Sequence, residues 1–222
     1  KFKLGEDLIL TNYDQTQGNY EEYEYRPSVG ITSGLWSAGV PFGLPSDQRL
    51  DETYSVNYTS EFLEDPVEII GMPKAVLHVS STAPVMAFVA RLSDVAPDGT
   101  SAQVTIGVLN GTRRNSFINP EPLKPGEVYK LNLDLDTTAW RFEKGHRIRL
   151  SISSADFPNL WPTPYLGNNR IYHESGKESF LELPVVPTRK ANEGKLPINE
   201  MDFETSTNPR LYPQYSPDEI PW

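Results

Sequence analysis

Apolar and polar positions alternate with a period of two along most of the middle of this chain. In PKAVLHVSS (73–81), Ala75, Leu77 and Val79 fall on one side, and Val76, His78 and Ser80 on the other. That is the spacing of a strand with one face on a core. VMAFVARLSD (85–94) sets Val85, Ala87, Val89 and Arg91 against Met86, Phe88, Ala90 and Leu92. Being apolar at most positions, it predicts a central strand. QVTIGVLNG (103–111) follows the turn PDGT. EVYKLNLDL (127–135) follows KPG and opposes Val128 to Tyr129, Leu131, Leu133 and Leu135. HRIRLSIS (146–153) follows KG, with Ile148, Leu150 and Ile152 inward and Arg147 and Arg149 outward. ESFLELPVV (178–186) closes the series with Leu181, Leu183 and Val185. With YSVNYTSEF (54–62) and VEII (67–70), the pattern predicts about eight strands with turn signals at short intervals. No stretch reads as a helix of about ten residues or more. The fold class is therefore all-β, a β-sandwich with jelly-roll connectivity.

The ends are patterned differently. Residues 1–45 are rich in Tyr, Gly, Asn and Gln and read as an extended N-terminal arm or linker. Within them NYEEYEYRP (19–27) alternates Tyr and Glu, which fits an edge strand or a solvated arm, and VGITSGLWSAGVPFGLP (29–45) reads as extended chain. Residues 46–187 form the sandwich. Residues 188–222 hold five prolines and little pattern. They read as a tail packed on a surface through Phe203, Leu211, Tyr212 and Trp222.

Composition narrows the partners. The 222 residues suffice for one large domain or one domain with extensions. The formal net charge of -10 repels phosphate, so neither nucleic acid nor an anionic membrane is an expected partner. No run approaches the ~18 apolar residues that would span a bilayer. Cysteine is absent, which removes disulfides and thiolate metal sites and leaves the compartment open. No signal peptide is visible and residue 1 is Lys, so the chain is expected to be a fragment or a processed product.

Candidate chemistry is sparse. A nucleophile elbow, G-x-S-x-G, does not occur; GLWSAG (34–39) has one residue too many between Gly34 and Ser37 and no flanking strand and helix. His78 reads as a satisfied strand residue, His146 as a turn residue at a strand start, and His173 as part of a loop or short strand. None is paired with a carboxylate at metal-binding spacing, so no catalytic, cofactor or metal residue is assigned. The oxygen-rich SDVAPDGT (93–100) reads as a plain turn ahead of a calcium loop. The sequons at Asn57 and Asn110 are chance-level marks. Trp36, Trp140, Trp161 and Trp222, with eleven tyrosines, allow a sugar-stacking platform as an alternative to core and interface packing.

The stretch DFPNLWPTPY (156–165) follows a core strand and is both aromatic and stiff. Pro158, Pro162 and Pro164 restrict its backbone, which lowers the entropy lost on docking. Phe157 and Trp161 supply the apolar area of interface anchors. It either lies on another domain or covers the end of its own sandwich.

Several motifs in order carry a family resemblance over roughly residues 43–187. They are LPSDQRLDE (44–52), the Leu92–Gly99 run L-x-D-V-x-P-D-G, and the chain from Pro125-Gly126-Glu127 through Gly145-His146-Arg147-Ile148-Arg149-Leu150 to Asp156-Phe157-Pro158. Together they resemble the C-terminal domain of the cocaine esterase / X-prolyl dipeptidyl-peptidase family of serine hydrolases. The resemblance implies a jelly-roll, galactose-binding-like domain that packs on an α/β-hydrolase domain of the same parent chain, stabilises it and borders its substrate cleft. It also implies that the Ser-Asp-His triad, which acts on ester or X-Pro peptide bonds, lies in that other domain. No residue here matches the triad, so this chain alone is expected to be inactive. Asp156, Phe157, Trp161 and Tyr165 are then the candidate inter-domain contacts. The competing readings are a free-standing carbohydrate-binding module and a complete small enzyme.

Overall fold

The computed structural model describes residues 2–3, 20–31 and 47–186. Expectations for GLWSAG, Trp36, Trp222 and the tail anchors lie outside these residues. The chain divides into two units after Pro187, and only the first contains described residues.

The described elements are β1 (Phe2–Lys3), β2 (Tyr20–Glu24), α1 (Arg49–Glu52), β3 (Val56–Thr59), β4 (Val67–Gly71), β5 (Lys74–Ser81), β6 (Ala87–Val95), β7 (Ser101–Asn110), β8 (Tyr129–Asp134), β9 (Thr138–Phe142), β10 (Arg147–Ser153), β11 (Asn168–Tyr172) and β12 (Phe180–Glu182). One sheet runs β1-β12-β5-β11-β2, with β8 on the far side of β5. The second runs β3-β10-β6-β7, and β4 and β9 form a separate ribbon. All pairings are antiparallel, and most neighbours are not consecutive in the chain, which is the crossover pattern of a jelly roll. β11 and β12 lie end to end along one side of β5: Tyr172 faces His78, and Phe180 faces Val76. They occupy a single strand position, broken by residues 173–179.

The core lies between the sheets. Leu77, Val79, Leu131, Leu133 and Ile171 from the first meet Tyr58, Phe88, Leu92, Leu150 and Ile152 from the second, and all are buried. Each is on the face that the period-two pattern selects, which is why a one-residue slip in any strand would bury polar groups instead. β6 sits between β10 and β7, as its apolar run predicts.

Three elements go beyond the sequence reading. β9 and the short α1 were not expected, and NNRIY (168–172), read as a loop or short strand, is the strand. Residues of the expected N-terminal arm also join the first sheet as β1 and β2. The reason for β2 is its alternation: Tyr23 packs against the core and Tyr25 is buried in it, while Glu22 and Glu24 are exposed.

The outward face of the second sheet is also covered. Glu52 of α1 accepts from the Ser101 hydroxyl at 2.5 Å and pairs with Arg149 at 2.5 Å. The charged run from Asp47 to Glu52 is thus held over the sheet by polar contacts, which leave no apolar periodicity to predict it from.

Candidate functional site

Three connections meet at one end of the sandwich: β5–β6 (82–86), β7–β8 (111–128) and β10–β11 (154–167). They are tied backbone to backbone. Thr82 N–H donates to the Asn168 carbonyl at 3.0 Å, Gly111 N–H to Met86 at 2.8 Å, and Leu123 N–H to Pro84 at 2.8 Å.

DFPNLWPTPY forms most of the third connection, and its root is fixed from below. Asp156 is buried and pairs with the equally buried Arg91 on β6 at 2.5 Å. Asn159 donates its side-chain N–H to the other carboxylate oxygen at 3.0 Å. Burial pushes the Asp156 carboxyl above its ordinary range, against the opposing pull of Arg91. Further along, Phe157 N–H donates to the Val29 carbonyl at 2.9 Å and Thr163 N–H to the Tyr25 hydroxyl oxygen at 3.0 Å. Gly30 makes this seam possible. At φ +102° it lies so close to the loop that a Cβ would stand 2.6 Å from the Asp156 and Phe157 backbone. The Phe157–Pro158 peptide is cis.

Above this root the side chains turn outward. Trp161 is 83% exposed, Leu166 80% and Tyr165 44%, while Phe157 is half-buried with its ring centroid 6.1 Å from that of Trp161. A recess of about 50 Å³ opens beside Trp161, lined by Tyr25, Ala87, Asn110, Ala155 and Leu160. Of the four candidate contacts, Trp161, Tyr165 and part of Phe157 face outward together. Asp156 faces inward and positions the loop. Leu166 was missed because it follows the aromatic stretch, and Gly30 and Tyr25 because their role depends on a contact more than a hundred residues away in the chain.

The histidines are scattered. His78 contacts the Glu178 carbonyl at 3.0 Å through Nδ1, consistent with a satisfied strand residue. His146 pairs with Asp94 at 2.8 Å, and the other Asp94 oxygen accepts from the Trp140 indole N–H at 3.0 Å. His173 lies 3.9 Å from Glu21, with burial holding its pKa below the ordinary value. Among the described residues no three His, Asp or Glu side chains are grouped to hold a metal. No helix among them is long and apolar enough to cross a membrane. Among the described residues the exposed Trp and Tyr side chains, Tyr54, Trp161 and Tyr165, stand on loops and not in a row on a sheet face.

The family model of the X-Pro dipeptidyl-peptidase C-terminal non-catalytic domain matches residues 3–182. The chain belongs to that family. The motif resemblance is thereby borne out, and the domain is a non-catalytic one. The cocaine esterase of Rhodococcus sp. (strain MB1 Bresler) is 39% identical over 158 residues, covering 64% of this chain and 28% of the esterase. A solved α-amino acid ester hydrolase superposes with a TM-score of 0.66 at 23% identity, over 76% of this chain and 33% of that one. An aminopeptidase from a marine sediment Thaumarchaeota archaeon gives a TM-score of 0.69 at 19% identity, over 81% and 36%. The two structural matches show the shared fold. The C-terminal domain described here spans less than a third of the length of the esterase.

Proposed function

We propose that this chain is the C-terminal accessory domain of a serine hydrolase that cleaves ester or X-Pro peptide bonds, and that it rests on the α/β-hydrolase domain of the same parent chain. In this reading residues 46–187 are the body of the sandwich, residues 1–45 lead into it, and residues 188–222 are a tail. The observation that carries the reading is Trp161: an indole 83% exposed on a proline-stiffened loop whose root is locked by a buried ion pair. Such a ring costs solvation free energy in water and is already ordered for contact, which is the profile of an interface anchor. The absence of an exposed aromatic row on the described strands weighs against a sugar platform.

The test is hydrolysis of aryl esters and of Ala-Pro or Gly-Pro anilides by the complete gene product and by this chain alone. Turnover is expected only from the complete product. There, Trp161→Ser is expected to lower the thermal midpoint and shorten the half-life of activity. Turnover by this chain alone, or a Trp161→Ser product as durable as its parent, would overturn the proposal.

A further inference from the structure

Among the described residues, four large apolar side chains are at least 80% exposed: Phe117 (80%), Ile118 (87%), Trp161 (83%) and Leu166 (80%). All four stand on connections at the same end of the sandwich. The next most exposed, Leu50, reaches only 66%. Two of the four belong to the β7–β8 connection, which shares no sequence with DFPNLWPTPY.

The β7–β8 connection is built to hold its tip out. Asn110 accepts from the Thr112 N–H at 3.0 Å and caps a short turn at Gly111–Arg113. Arg114 donates to the Gly111 carbonyl at 3.0 Å and to the Glu121 carbonyl at 2.7 Å, and its guanidinium lies 4.3 Å from the centroid of the Tyr129 ring. The Ser116 hydroxyl oxygen accepts from the N–H groups of Ile118 and Asn119 at 3.2 and 3.1 Å. Phe117 and Ile118 are therefore presented on a hydrogen-bonded frame. Ordering two apolar side chains in solvent brings nothing to a free-standing domain, whereas a preformed tip loses little entropy when a partner covers it. The recess beside Trp161 adds the complementary shape: with a volume of about 50 Å³ and Ala87 and Ala155 in its lining, it has room for one small apolar side chain.

We infer that the docking face is this whole end of the sandwich, with Phe117 and Ile118 as a second anchor beside Trp161 and Leu166, and that the recess receives one apolar side chain of the partner. This rests on the accessory-domain reading. The occupant is the part of the parent chain lying outside this sequence. The cocaine esterase relative has that length to provide, since this region makes up 28% of it. A two-loop face fixes the rotation of one domain on the other, which a single loop does not.

Hydroxyl-radical footprinting of the full-length protein, read by mass spectrometry, tests this with an internal reference. Phe62 is 59% exposed, near His146 at the other end of the sandwich. Phe117, Ile118, Trp161 and Leu166 are expected to oxidise several-fold more slowly than their exposure relative to Phe62 dictates. Protection of Trp161 with Phe117 and Ile118 fully reactive would overturn the inference and leave the accessory-domain reading standing. Reactivity at all four would overturn both. Protection that disappears on dilution would make a second copy the occupant and overturn the assignment of the partner. In the Ala87→Leu variant, which fills the recess from a half-buried position, Trp161 is expected to lose protection. Unchanged protection there would remove the recess from the docking face.

Discussion

Arg91 Nη2 lies 2.5 Å from Asp156 Oδ1, and each side chain is only 3% exposed. This pair connects the middle of β6 to the root of the aromatic loop. Removing the arginine leaves a buried carboxylate without its countercharge, which costs about 3–5 kcal/mol. Arg91→Met is expected to destabilise the protein by that order. The pH dependence follows from the carboxyl, which burial already holds above its ordinary range. Losing Arg91 raises it further. A raised carboxyl favours the folded state when protonated, so stability falls as pH rises through the folded-state value. The variant's deficit is therefore largest at neutral pH and shrinks on acidification. Urea unfolding of both proteins at neutral and mildly acidic pH checks this, and an equal deficit at both would contradict it.

Gly30 is expected to tolerate no side chain. Gly30→Ala combines a left-handed backbone, costing about 1–2 kcal/mol for an L-residue, with a Cβ driven into the loop backbone at 2.6 Å. The loop must lift away from Val29. Hydrogen exchange at the Phe157 amide, which donates to Val29, is expected to accelerate well before global unfolding.

Glu21 is on the core side of β2, where burial raises its carboxyl above the ordinary value and the nearby Tyr58 hydroxyl, without a well-aligned hydrogen bond, opposes the rise only partly. His173, 3.9 Å away, is pushed down by burial and supplies no positive charge at neutral pH. Ionising Glu21 therefore costs stability as pH rises through its folded-state value. Glu21→Gln, which removes the charge that burial disfavours, is expected to stabilise the protein at pH 7. The gain is expected to vanish at low pH. Thermal midpoints across that range provide the measurement.

The sandwich was legible because its strands obey a local rule. Leu77 and Val79, or Leu150 and Ile152, declare their face by their own spacing, and the core confirms it. β9 was harder, since Trp140 is only partly buried and the strand pairs with β4 alone. α1 was not legible: its buried Asp51 and Glu52 are satisfied by partners such as Gly30, Ser101 and Arg149, none of them adjacent in sequence. The aromatic loop announced itself through Phe157, Trp161 and Tyr165 together, whereas Phe117 is the one aromatic residue of a connection that shares the prolines (Pro120, Pro122, Pro125) but not the aromatic density. Asp156 was placed among outward contacts because nothing near it in the chain reveals Arg91.

The break between β11 and β12 has a use of its own. Ser179 closes the neck of the detour, accepting the His78 N–H at 2.9 Å and donating to the Tyr172 carbonyl at 2.8 Å. Beyond that neck Gly176, at φ +85°, has nothing within 4 Å of where a Cβ would stand. Register on either side is held by β5, so extra residues at Gly176 would leave both half-strands paired. The detour is a ready splice point, at which a tag, a fluorophore or a foreign peptide can be grafted into the domain without redesigning the sheet around it.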